Sequence, residues 1–300
     1  MHRLLDVFML SAAVALAGQS SSVFAQQTST VEVNGVTLRY VDEGEGKPVI
    51  FVPAAIADHR GWEPYRVTIA REHRFITYTQ RYFGTEPWPD DGEQFSSETH
   101  AADLAAFIEA LDAGPVYLVT WSYSGQIVPL MALEHPELVR GMVHYEPFVP
   151  SLVAELPEER QAAIAEERKK YGPAMEALEA DDAEQATKLF IEAVFQRPPG
   201  GFEQEPDYMR TIWLDNARTV PPQMNMTPPA ITCEDLATLE QPTLILKGEH
   251  ADIYFESVAD IMAQCQPQAE LGVIPGVNHD GTFNAVEDFT AAILDFLAEH

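Results

Sequence analysis

The stretch VYLVTWSYSGQIVPL, residues 116–130, runs from a continuous apolar segment straight into a helical pattern with no linker between them. A chain that passes from a buried strand into a helix within two residues needs a tight, strained turn. Side chains two places before and two places after its central residue crowd together and must be small. Centring the turn on Ser122 puts Thr120 and Ser124 at those places, and both are small. Centring it on Ser124 puts Ser122 and the bulky Gln126 there. Ser122 is therefore the candidate nucleophile, while Ser124, one step into the helix, turns its hydroxyl toward neighbouring backbone.

The same alternation continues on both sides of the turn. Two alternating segments, STVEVNGVTLRYVDEG, meet at Asn34-Gly35, a hairpin signal. The apolar runs KPVIFVP, HRFITYTQ, PVYLVTW, VRGMVHYE, QPTLILKG and AELGVIPG each precede a helical pattern or a loop leading to one. In the helix SSETHAADLAAFIEALDA, Ser97 and Thr99 stand as cap candidates. Strand and helix in turn predict an α/β fold with a mostly parallel, doubly wound sheet covered on both faces. From about Pro147 to Ala230 the pattern is almost wholly helical. That stretch reads as an inserted helical cap over the C-terminal edge of the sheet, where open α/β sheets bind ligands. The predicted division is a core over 26–146 and 231–300, with the cap over 147–230. Trp213, Phe195, Tyr208 and Phe202 are expected on the cap's inner face.

Residues 1–25 read as a secretory signal peptide: a basic start at His2 and Arg3, an apolar run from Leu4 to Gly18, and Val23 and Ala25 before the cut. A periplasmic or secreted protein is the expectation, with no membrane span after cleavage. Cys233 and Cys265 are the cysteines of the chain, and they read equally as one disulfide or as two separate, partly buried thiols. With 47 acidic against 18 basic residues the formal charge is −29, which repels phosphate backbones and anionic headgroups and excludes nucleic acid as an expected partner. A small molecule is the expected ligand. No Cys/His cluster has metal-ligand spacing, so neither metal nor cofactor is expected.

From residue 31 to the C-terminus the chain resembles the α/β-hydrolase fold family. The resemblance rests on FVPAAIADHRGWEP, TQRYFGTEPW, the TWSYSG elbow and VIPGVNHDG. It implies that His279, in the loop after the last strand, completes a catalytic set with Ser122. A carboxylate must hold that histidine in the right tautomer. The resemblance offers Glu146, where haloalkane dehalogenases place their acid, and Asp252, at the commoner location but one residue late. Glu146 is preferred, with Asp252 the alternative. It also implies an oxyanion hole from the backbone N–H groups of Tyr123 and Ala55. Pro53-Ala54 departs from the usual His-Gly at the oxyanion loop, and Pro129 falls inside the helix behind the elbow.

These readings together predict a serine hydrolase acting on an ester or related acyl bond of a small, largely apolar substrate. A carbon–carbon bond hydrolase or a perhydrolase uses the same residues, and outside enzymes the rival is a sensor that binds its ligand with little turnover. His59, His100, His144 and His250 are read as packing, cap or surface residues.

Overall fold

The computed structural model describes residues 28–300, so the predicted signal segment lies outside the described residues. Strands β1 (Ser29–Val33) and β2 (Val36–Glu43) form the expected hairpin, with Asn34 and Gly35 at φ of 45° and 78°. Next come β3 (Pro48–Val52), helix α1 (Glu63–Ile69), β4 (Arg74–Tyr78), α2 (Ser97–Ala110), β5 (Val116–Trp121), α3 (Ser124–Glu134) and β6 (Val139–Tyr145). After a helical stretch, α9 (Cys233–Ala237), β7 (Thr243–Gly248), α10 (Ile253–Cys265), β8 (Ala269–Ile274), α11 (Gly281–Asn284) and α12 (Val286–Glu299) complete the chain.

The strands form one sheet in the order β1-β2-β4-β3-β5-β6-β7-β8, with β2 antiparallel to both neighbours and every pair from β4 to β8 parallel. Every residue of β5 is buried, as its unbroken apolar run requires of a central strand. The chain leaves β3 toward β4 on one side, and then returns to place β5 on the other. The C-terminal ends of β3 and β5 thus flank a topological switch point, the position at which such sheets open a crevice.

Between β6 and β7 lie α4 (Glu158–Glu167), α5 (Gly172–Glu179), α6 (Ala183–Val194), α7 (Asp207–Asp215) and α8 (Val220–Asn225), and no strand. Phe195, Phe202 and Trp213 are buried there, whereas Tyr208 is 41% exposed. Tyr208, the second residue of α7, lines a groove with Glu63 and Pro64 of α1 rather than being buried with the other three, so it does not join the inner face expected for it. A second correction concerns α2, whose N-cap is Ser96 rather than Ser97 or Thr99: the Ser96 hydroxyl accepts the Thr99 N–H at 3.1 Å. Cys233 and Cys265 form a disulfide that ties the start of α9 to the end of α10, with Cα atoms 4.9 Å apart. Among the described residues no helix is long and apolar enough to cross a membrane.

Candidate active site

The elbow is built as tightly as the sequence demands. Ser122 follows the last residue of β5 at φ 56°, donates its N–H to the Tyr145 carbonyl at 3.1 Å, and accepts at its own carbonyl from Gly125 and Phe148, each at 2.8 Å. Ser124 opens α3, and its buried hydroxyl is fully engaged. It lies 3.1 Å from the carbonyls of Val52 and Trp121 and accepts the Trp121 N–H at 3.0 Å. Ser122, in contrast, is partly exposed and lines a cavity. Gly125 has to be glycine, because a Cβ there would stand 2.6 Å from the Cα of Pro147. Helix α3 continues through Pro129 without a break in assignment.

The carboxylate is decided by strand order. β6 lies between β5 and β7, so the residue after it, Glu146, emerges beside the elbow. Glu146 sits at φ 40°, donates its N–H to Leu246 at 2.8 Å, and is 0% exposed. Its Oε1 accepts the Gly248 N–H at 2.9 Å, and its Oε2 meets His279 Nδ1 at 2.8 Å. A buried carboxylate is tolerated when both oxygens are bonded, and here both are. A side chain at Gly248 would strike the Val277 carbonyl, so glycine lets the histidine loop pack directly against the end of β7. Asp252 is elsewhere. It caps α10 by accepting from Tyr254 and Phe255 N–H groups at 2.9 and 3.0 Å, and it pairs with Lys170 at 2.8 Å. The alternative acid is thus a helix cap and a lysine partner, and Glu146 is the carboxylate on His279.

His279 is buried and clamped on its faces and backbone. The Phe255 ring stacks on it, with centroids 3.8 Å apart and planes 13° from parallel, and Trp121 Nε1 donates to its carbonyl at 3.0 Å. The next residue, Asp280, is reached from the cap: Arg197 bonds Asp280 at 2.5 Å and Glu205 at 2.6 Å. Asn278 donates to the Phe195 carbonyl at 2.9 Å. The cap and the histidine loop are therefore pinned to each other on both sides of His279.

Ala55 and Tyr123 follow the C-terminal ends of β3 and β5, on either side of the switch point. Both residues line the cavity beside Ser122, and among the described residues neither N–H has a hydrogen-bond acceptor. Two unsatisfied donors on one cavity wall are what an oxyanion hole presents before it is filled. The Tyr123 side chain is anchored at its far end, where its hydroxyl meets His100 Nδ1 at 2.8 Å. Burial holds His100 down to about 3, so the ring is neutral at ordinary pH.

Three contributors were not read from the sequence: Phe255, the Gly248 N–H and His100. Phe255 and Gly248 act through strands or helices distant in the chain, and no local pattern marks them. His100 reads in the sequence as a packing, cap or surface residue, and nothing in its local pattern marks its contact with Tyr123.

The cavity has a volume of about 320 Å³. Its walls are mainly apolar, with Phe148, Phe190 and Met175 among them, and Arg168, Lys170 and Asp252 form a polar end. Exposed ligand atoms of Glu270, Glu299 and His300 lie within 4.8 Å of one another, on β8 and at the end of α12, apart from this cavity.

Comparison with known proteins agrees with this architecture. The chain is 34% identical over 110 residues to the putative non-heme bromoperoxidase BpoC of Mycobacterium tuberculosis, a match to 36% of this chain and 41% of that protein. It is 21% identical over 267 residues to 2-(acetamidomethylene)succinate hydrolase of Mesorhizobium japonicum, covering 89% of this chain and 94% of that one. A thermophilic esterase from Thermogutta terrifontis superposes with a TM-score of 0.69 at 22% identity, over 91% of this chain and 98% of that one, a likeness of fold. The sequence model of the alpha/beta hydrolase family matches residues 49–292, and the chain belongs to that family.

Proposed function

We propose that this protein is an exported serine hydrolase that cleaves an ester or related acyl bond by way of an acyl-enzyme. The observation that carries the reading is the Glu146–His279 pair, tied through Trp121 to the strand that ends at the elbow serine, with Ala55 and Tyr123 lining the serine's cavity. Ser122 Oγ attacks the carbonyl carbon, and His279 Nε2 takes its proton. Glu146 accepts from Nδ1–H and so fixes the tautomer that leaves Nε2 free to act as base. The carbonyl oxygen gains charge and is met by the N–H groups of Ala55 and Tyr123. Each such donor is worth about 3 kcal/mol in the transition state. His279 returns the proton to the leaving group, and then draws one from water to release the acid and Ser122. A serine in this place argues against chemistry that proceeds through an aspartate ester.

The likeness to a bromoperoxidase favours a second reading on the same residues, in which hydrogen peroxide replaces water as the nucleophile that discharges the acyl-enzyme. Export is supported by the sequence of residues 1–25 and by the Cys233–Cys265 disulfide, a bond that persists in oxidising compartments. A fluorophosphonate, followed by intact mass, tests the nucleophile on protein beginning at Gln26. One adduct is expected, lost in Ser122→Ala. No adduct on folded protein overturns the reading and favours a ligand-binding protein.

A further inference from the structure

We infer that the polar end of the cavity is an anion subsite, in which Arg168 and the Tyr254 hydroxyl bind a carboxylate carried by the substrate. The inference rests on the proposed hydrolysis at Ser122 and names the substrate class: an apolar acyl compound with one anionic end. Arg168 lines the same cavity as Ser122, yet among the described residues it forms no ion pair. Arg71, Arg140 and Arg218 likewise form no ion pair, but among the described residues Arg168 is the one arginine that lines this cavity. The neighbouring cation does not share this freedom: Lys170 Nζ is held between Asp252 at 2.8 Å and Glu167 at 3.1 Å. One lysine thus bonds both nearby acids; Arg168 balances the charge of this group of four but is bonded to neither carboxylate.

Tyr254 supplies an independent observation. It lines the cavity and is 6% exposed; the Val149 N–H approaches its oxygen, and its hydroxyl proton has no acceptor among the described residues. A buried hydroxyl left unbonded costs about 1–3 kcal/mol, so a ligand that accepts its proton recovers that loss. The Lys170–Asp252 bond holds the segment that carries Arg168 against the start of α10, which carries Tyr254, and both residues line the one cavity. A planar guanidinium beside a phenolic O–H offers several donors and no acceptor, an arrangement suited to a carboxylate. Arg168 is solvent-exposed, so its charge is kept without a large desolvation cost and its pull on an anion is screened by water.

Two ester pairs test the subsite from either side of the scissile bond: monoethyl glutarate against ethyl pentanoate, and 4-carboxyphenyl acetate against phenyl acetate. Turnover is followed by proton release, and the readout is the ratio of kcat/KM, charged over uncharged. In at least one pair the ratio is expected to fall about tenfold in Arg168→Leu and to be partly restored in Arg168→Lys, the scale of one charge-assisted hydrogen bond. Tyr254→Phe should lower the same ratio by a smaller factor. Lys169→Ala, at an exposed lysine paired with Glu166, should leave it in place. Calorimetric binding of the two charged esters to Ser122→Ala keeps the test independent of turnover. Binding that is lost in Ser122→Ala/Arg168→Leu supports the subsite even if no ester is hydrolysed. Ratios that do not change with Arg168, together with binding that does not, overturn it while the serine hydrolase reading stands.

Discussion

The indole N–H of Trp121, the residue before the elbow serine, donates to the carbonyl of His279 at 3.0 Å. The loop that carries His279 is thus hydrogen-bonded to the strand that leads into Ser122, and its position is referred directly to β5. Phe255 closes on the imidazole from the helix after β7. Catalytic groups need placement within about half an ångström, and these contacts come from the rigid parts of the fold.

The choice of carboxylate is open to a direct test. Glu146→Gln keeps the shape of the contact but removes the charge that holds the His279 tautomer, and kcat is expected to fall about a thousandfold or more. Asp252→Asn weakens the cap of α10 and the pairing with Lys170, and kcat should fall less than about tenfold. Reversal of that order in kcat would return the acid's role to Asp252.

Gly125→Ala pushes a methyl group into Pro147, on the segment that bonds back to the Ser122 carbonyl. Overpacking of this kind costs about 1–3 kcal/mol. The unfolding midpoint and the rate of fluorophosphonate labelling should both fall. Unchanged labelling in a destabilised variant would separate the packing of the elbow from the activation of its serine.

The Cys233–Cys265 bond closes a separation of 32 residues. Limiting the unfolded chain by such a loop is worth about 2–4 kcal/mol. Reductant should lower the denaturation midpoint of the native protein and leave that of Cys233→Ser/Cys265→Ser where it is. Equal midpoints with and without reductant would show that the bond contributes nothing to stability.

Acid should destabilise the fold through its buried histidines. Burial holds both His100 and His144 down to about 3, against about 6.5 in the unfolded chain. Their contribution is fully present above the unfolded value. It shrinks as pH falls from about 6.5 toward 3, because the unfolded chain takes up protons that the folded one refuses. The slope is at most about 1.4 kcal/mol per pH unit for each ring. Urea midpoints measured at pH 7.5, 6 and 5 should decline, and less steeply in His144→Val. An identical slope in that variant would remove His144 from the account.

The sheet was readable because its central strands are buried on both faces, so their apolar runs stand out between helical patterns. The elbow was readable for a different reason: steric crowding distinguishes Ser122 from Ser124 by the size of Gln126 alone. The acid was not decidable in this way. Glu146 and Asp252 both follow strands, and only the sheet order, with β6 between β5 and β7, separates them. Ser96 and Ser97 are adjacent serines, and which one caps α2 depends on where the backbone turns extended. Tyr208 and Trp213 share a helix, but their exposure depends on what α7 packs against. The lone guanidinium of Arg168 is invisible to the sequence, since pairing among many acids is settled only in three dimensions.

Arg197 reaches across from the cap to Asp280, beside the base. Any swing of the cap large enough to admit a bulky molecule must therefore either snap that bridge or drag the histidine loop along with it. The place of His279 is thereby referred to two bodies at once, the sheet through Trp121 and the cap through Arg197 and Phe195.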